Sequence, residues 1–324
     1  MNNEIQECKA IIDKCLAEAE KRLVGQKNLI QNILIAFVSG GHVLLEGGPG
    51  LAKTLAVKTT AEILGLDFKR IQFTPDLLPA DVTGTLIYEQ TKGNFSVRKG
   101  PIFSNVILAD EINRAPAKVQ SAMLEAMAEE QVTIGEQSYI LPEPFFVLAT
   151  QNPIEQEGTY NLPEAELDRF LMKLLITYPN AEQEIEIVKS CGKNNQIEVK
   201  KSISASEIKK LKAVAEKINC DEKLISYIVS ILNVTRPAKE NIKNHNDITH
   251  YINFGASPRG GIALLKCAKT KALFEGRDFV LPEDIKAVCP AVLRHRLVLS
   301  YEAAADNISS DEIISRILDF IPIP

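Results

Sequence analysis

The stretch Gly47-Gly48-Pro49-Gly50-Leu51-Ala52-Lys53-Thr54, set directly after the apolar run Val43-Leu44-Leu45, decides the reading of this chain. Three glycines permit the positive φ angles that turn successive backbone N–H groups toward one point, and a helix opening at the end of the loop aims its positive dipole end at the same place. The segment therefore reads as a cradle for the phosphates of a nucleoside triphosphate. Lys53 would extend as a point charge to the β and γ oxygens, while the Thr54 hydroxyl stands where Mg²⁺ needs an oxygen ligand. Ala52 departs from the general pattern, which has a glycine before the lysine. Taken alone, the loop also fits a plain glycine-rich turn from strand to helix.

Two further strand ends point to the same chemistry. Val106-Ile107-Leu108-Ala109-Asp110-Glu111 is a nearly unbroken apolar run ending in adjacent carboxylates, the pattern of a parallel strand covered on both faces. In open α/β sheets, ligands lie beyond the carboxyl ends of the strands. Neighbouring side chains of a strand point opposite ways, so the two acids divide the work: Asp110 for the metal, Glu111 to polarise the attacking water. A solvated acidic turn is the plainer alternative. Phe145-Phe146-Val147-Leu148-Ala149 runs likewise into Thr150-Gln151-Asn152, where Asn152 can orient a water or simply begin the turn before Pro153.

Together the segments GGPGLAKT, ILADEINRAPAKVQSAMLEAMAEEQVTI, FFVLATQNPIEQEGTYNLPEAELDRF and GASPRGG resemble the MoxR family of AAA+ ATPases across nearly the whole chain. That family usually carries the alanine seen at Ala52. The resemblance implies an α/β P-loop core, with a parallel five-stranded sheet between helices, and a C-terminal all-helical lid. It implies Mg²⁺-dependent hydrolysis of ATP in a ring, commonly a hexamer, that remodels or activates client proteins, often with a von Willebrand factor A domain protein.

Carried over by position, Gly48, Pro49, Gly50, Leu51, Ala52, Lys53, Thr54 and Leu55 match the phosphate loop; Thr54 and Asp110 match the metal positions. Glu111 matches the base and Asn152 the first sensor. Val24 and Gly25, in Val24-Gly25-Gln26, stand where related ATPases contact the adenine. Arg169, in Leu167-Asp168-Arg169-Phe170, matches an arginine finger, and Arg259, in Ser257-Pro258-Arg259, the second sensor, the two sensing the nucleotide from opposite sides. A permanently charged, planar guanidinium suits the charge that develops on a transferring phosphoryl group. Whether Arg169 acts in its own site or a neighbour's is left open, as is a structural pairing of Arg169 with Asp168 or Glu166. Arg259 also has local support. Ser257 suits an N-cap and Pro258 the first helical position, and a cation in a first turn opposes the helix dipole, which favours an anionic ligand. Arg114 either touches nucleotide or a neighbour, or caps the following helix.

Bulk properties agree. With 324 residues and 45% hydrophobic side chains, the chain is long enough for two ordinary domains. A net charge of -5 argues against broad nucleic-acid binding, leaving a nucleic-acid motor or loader on the same core as the alternative function. A nucleotide-binding scaffold without turnover conflicts with the presence of Lys53, Asp110, Glu111 and Asn152 together. The 6 cysteines include no C-x-x-C pair, and the 4 histidines show no ligand spacing, as expected of reduced thiols in the cytoplasm. Charges throughout Met1 to Glu20 exclude a signal peptide and a membrane span there.

The periodicity divides the chain at residue 178. Residues 1–178 hold an opening amphipathic helix to about Leu23 and alternating strands and helices, among them Thr54 to Leu64 and Ala117 to Ala128; residues 179–324 are helical. Gly192 to Gln196 reads as the connection between the parts and Lys239 to Asn246 as an exposed loop. Two alternating stretches read as inserted β-hairpins: Leu86, Tyr88, Phe95 and Val97 around Lys92-Gly93, and Val132, Ile134, Tyr139 and Leu141 around Gly135-Glu136. They serve either partner handling or edge decoration.

Overall fold

The computed structural model describes residues 2–91, 93–153, 158–160, 162–191, 197–237 and 249–324. The expected connector Gly192 to Gln196, the expected loop Lys239 to Asn246 and the hairpin residue Lys92 lie outside the described residues. Helices α1 (Asn2–Glu20) and α2 (Lys27–Val38) lead into β1 (His42–Gly47) and α3 (Lys53–Leu64). Then follow β2 (Phe68–Gln72), α4 (Pro79–Thr83), β3 (Gly84–Glu89), β4 (Asn94–Lys99) and β5 (Val106–Asp110). Next come α5 (Ala117–Glu129), β6 (Gln131–Ile134), β7 (Gln137–Ile140), β8 (Phe146–Gln151), α6 (Glu164–Leu167) and β9 (Phe170–Ile176). The remainder comprises α7 (Ala181–Cys191), α8 (Ala205–Lys217), α9 (Glu222–Thr235), β10 (Ile252–Phe254), α10 (Pro258–Phe274), α11 (Pro282–Leu293), β11 (Val298–Leu299), α12 (Tyr301–Ala305) and α13 (Ser310–Phe320).

Five strands form one sheet in the order β2-β5-β8-β1-β9, with every neighbouring pair parallel. The three inner strands are buried on both faces, which explains their unbroken apolar runs. Alternate residues serve different cores. Val43, Leu45 and Leu148 face a cluster with α1, α2 and α3; Leu44, Ile107 and Val147 face one with Val119, Met123 and Leu124 of α5. The expected hairpins form as antiparallel pairs, with Tyr88 opposite Phe95 and Val132 opposite Tyr139. The Tyr88 and Phe95 rings lie 5.3 Å apart, on the solvent side.

The helical part is joined firmly to the core. Helix α1 packs on α8 and α10 as well as on α2 and α3, with Lys9 Nζ donating to Phe274 O (3.1 Å) and Lys200 N–H donating to Glu18 Oε1 (2.9 Å). From the other side, the buried guanidinium of Arg296 donates from Nε to Asp168 Oδ1 (2.7 Å) and from Nη2 to Phe170 O (2.7 Å). Arg294 adds Nη1 to Lys173 O (2.9 Å) and a pairing with Asp311. One apolar cluster accordingly runs from Ile5 through Ile63 to Leu264 and Leu293. The helical part also carries a small antiparallel ribbon, β10 with β11, that its helical periodicity does not announce.

Candidate nucleotide site

Because the sheet is parallel, its carboxyl ends lie along one edge. Gly47 of β1 is in register with Ile176 of β9, Glu46 with Gln151 of β8, and Ala109 of β5 with Ala149 of β8. The loop holding Lys53, the residue Asn152 and the pair Asp110-Glu111 therefore leave three adjacent strands, β1, β8 and β5, at the same edge. Two strand spacings separate the outer members, about 10 Å, within the reach of a lysine and a triphosphate tail.

The loop achieves its turn differently from the expectation. Of its glycines only Gly50 takes a positive φ (79°), and the second left-handed residue is Ala52 (φ 56°), the position where a glycine was missed. Gly47 is needed for closeness instead: a Cβ there would come within 2.8 Å of Ile176 O. Lys53 begins α3, and its Nζ donates to Gly47 O at 2.7 Å, bending the ammonium over the loop. Thr54 follows half-buried in the same first turn, with Leu55 exposed beside it.

The acids are separated by a turn rather than by strand alternation. β5 ends at Asp110, and Glu111 is left-handed (φ 56°), an uncommon conformation for a residue that carries a Cβ and one that clusters at functional sites. Thr150 holds the turn: its Oγ1 donates to Asp110 Oδ1 (2.6 Å) and accepts from Glu111 N–H (2.8 Å). Gln72 Nε2 donates to Glu111 Oε2 (2.8 Å), and Arg114 Nε lies 3.3 Å from the same oxygen. Arg114 thus contacts the acid, which neither earlier reading of it contained. Asp110 is buried, with its Oδ2 facing Arg70. Asn152 is buried just past β8. Among the described residues no cluster of three or more His, Cys, Asp or Glu could hold a metal unaided. Thr54 and Asp110 do suit Mg²⁺, which takes one or two protein oxygens and completes its shell with phosphate and water.

Val24 and Gly25 line a cleft of ≈ 200 Å³ with Gln26, Leu29, Ile176, Tyr178 and Gln183. It adjoins the phosphate loop, since Ile176 is the partner of Gly47. Gly25 is left-handed (φ 74°), and a Cβ on it would strike the Gln183 amide at 2.3 Å. Gln183 is held there by exchange with Asn180, each side chain accepting the other's backbone N–H (3.1 and 2.9 Å). The second wall, from Leu175 to Gln183, escaped sequence reasoning; the Asn180-x-x-Gln183 cap preceding α7 was its one visible trace.

The arginines stand elsewhere. Arg169 directly precedes β9, whose far end pairs with Gly47, so it lies roughly 20 Å along the strand from the loop. Its Nη1 donates to Leu124 O (2.6 Å), and Asp168 is taken by Arg296 rather than by Arg169. Arg259 occupies the first turn of α10, with its N–H donating to Ser257 Oγ (3.2 Å) as expected of the cap. Ser257 Oγ in turn donates to Asp168 Oδ2 (3.0 Å). Both arginines therefore border Asp168 at the amino edge of β9, instead of flanking the chain's own phosphate loop from opposite sides.

A parallel P-loop core of this order with a helical lid defines an AAA-type ATPase. Residues 42–172 match the model of the ATPase family associated with various cellular activities, and residues 245–317 that of the AAA lid domain. The chain is 46% identical to Chaperone MoxR1 of Mycobacterium tuberculosis over 97% of its length and 82% of that protein. It is 31% identical to Protein MoxR of Methylorubrum extorquens, over 95% of this chain and 93% of the relative. A crystal structure from Cytophaga hutchinsonii, of a protein taken to be an ATPase, superposes with a TM-score of 0.91 at 50% identity, covering 99% of this chain and 97% of that one. The chain belongs to the MoxR family of AAA+ ATPases.

Proposed function

We propose that this protein hydrolyses ATP to ADP and phosphate between the subunits of a ring, commonly hexameric in its family, and uses the resulting change of shape to remodel or mature partner proteins in the cytoplasm. The observation that carries this reading is the meeting of Lys53, Asp110, Glu111 and Asn152 at one sheet edge, with both candidate arginines at the other. In it, the base sits between Val24-Gly25 and the Leu175 to Gln183 wall, Lys53 binds the β and γ phosphates, and Glu111 takes the proton of a water that Asn152 orients. Mg²⁺ held by Thr54 and Asp110 would neutralise charge on the phosphate oxygens. Arg169 and Arg259 serve a neighbour's nucleotide, because roughly 20 Å of β9 separates them from their own loop.

The name Chaperone MoxR1, carried by the Mycobacterium tuberculosis relative, supports a chaperone-like role, and a von Willebrand factor A domain protein is the partner we expect. A nucleic-acid motor is the weaker reading, given the net charge of -5. Phosphate release from ATP and Mg²⁺ by the purified protein is the direct test. Glu111→Gln should keep nucleotide binding and lose at least about a hundredfold in turnover, whereas Lys53→Ala should lose binding itself. Unaltered phosphate release by Glu111→Gln removes Glu111 as the base; stimulation by DNA or RNA would promote the rival reading.

A further inference from the structure

Arg70, in the middle of edge strand β2, shares the carboxylate assigned to the metal. Its Nε and Nη2 lie 2.9 and 2.6 Å from Asp110 Oδ2, while Thr150 engages Oδ1, so both carboxylate oxygens have protein partners. The guanidinium is steadied from a second side, since Nη2 also donates to Gln72 Oε1 at 2.6 Å. The pair is lopsided. The Asp110 side chain is 10% exposed and that of Arg70 50%, so the acid is fixed in the protein and the arginine approaches it from the solvent side. A divalent cation and a guanidinium, both positive and both seeking the same oxygen, exclude one another there.

We infer that Arg70 is the built-in counter-ion of Asp110 and sets the affinity of the nucleotide site for divalent metal. It is a positioning residue: it neutralises the buried carboxylate until metal arrives with nucleotide, then yields Oδ2 and swings outward. Removing one side of a buried pair leaves an uncompensated charge, so without Arg70 the acid would satisfy itself with metal more readily. The inference rests on the assignment of Asp110 given above.

The test is a Mg²⁺ titration of the full-length protein with a fluorescent ADP analogue, read as binding rather than turnover. Wild type, Arg70→Gln, Arg70→Lys and Asp110→Asn are compared after thermal unfolding has shown each to be folded. Arg70→Gln should lower the half-saturating Mg²⁺ concentration about two- to fivefold, the range expected of a half-exposed ion pair. Arg70→Lys, which keeps the charge, should stay near wild type, and Asp110→Asn should lose the Mg²⁺ effect. A half-saturation that is unchanged or raised in Arg70→Gln, with Asp110→Asn still insensitive, overturns the counter-ion and leaves the metal assignment standing. Full Mg²⁺ sensitivity in Asp110→Asn overturns both.

Discussion

Ala52 and Glu111 bear left-handed backbones, each costing an L-residue roughly 1–2 kcal/mol, and both stand at the phosphate edge. His42, at the opposite end of β1, is a residue whose role is structural instead. It is buried, with Nε2 3.0 Å from Met127 O and Nδ1 accepting the Val147 N–H (3.1 Å), an arrangement that uses the neutral ring completely. Burial pushes its pKa down from 6.5 to about 4. Between those values the unfolded chain takes up a proton that the folded chain refuses, so stability is complete above the upper value and declines as pH falls toward the lower. The loss reaches about 3 kcal/mol at the acid end. Denaturant midpoints measured from about pH 7.5 to about pH 4.5 should fall in the wild type, and fall less steeply in His42→Asn. Equal slopes would refute the assignment.

The positions gathered at the candidate site were largely legible in the sequence. Lys53, Thr54, Asp110, Glu111 and Asn152 each end or follow an apolar run, and a run that ends in polar atoms is visible in one dimension. Arg70, Gln72 and Thr150 were not, because their importance comes from which strand lies beside which. Nothing local in Phe68-Lys69-Arg70-Ile71-Gln72 says that it pairs with the strand of the acids.

Among elements, β1, β5, β8, α3 and α5 could be read from periodicity and from the glycine loop, as could both hairpins. Strand β2 could not, since only Ile71 in it is buried, and β10 and β11 are too short to show a period. The attachment of the lid was equally hidden. Arg296 lies in a turn after α11, yet its guanidinium reaches Asp168, Phe170 and Leu171 across the molecule. Replacing it by Met would strand the Asp168 carboxylate and several carbonyls, at a cost of roughly 3–5 kcal/mol. Arg296→Lys should fall between, because an ammonium cannot fork to all of them. Chemical unfolding measures this, and a deficit under about 1 kcal/mol for Arg296→Met would contradict a weld between lid and core.

At the scale of the whole molecule, the candidate nucleotide groups and the two arginines lie at opposite ends of one sheet, so on the proposed reading copies would meet head to tail for either to serve the other. Two inactive variants should then repair each other. Lys53→Ala retains its arginines, and the double variant Arg169→Ala with Arg259→Ala retains its loop, so mixed assemblies contain junctions with every part. Phosphate release from the mixture should exceed the sum of the separate preparations by several-fold, with sizing to verify that they co-assemble. Co-assembly without recovery would argue that the arginines do not act across the junction.

Strand β9 links these ends directly. Its last residues, Leu175 and Ile176, form part of the wall against which a base would lie, and its first, Phe170, is gripped by Arg296 next to the carboxylate that tethers the cap of α10. β9 is an edge strand hydrogen-bonded along its length to β1, so on the proposed reading a tilt imposed at the base would reappear at the guanidinium end. In the proposed ring, occupancy in one copy would thereby reach the next as a displaced lever, with the strand rather than the lid as the carrier.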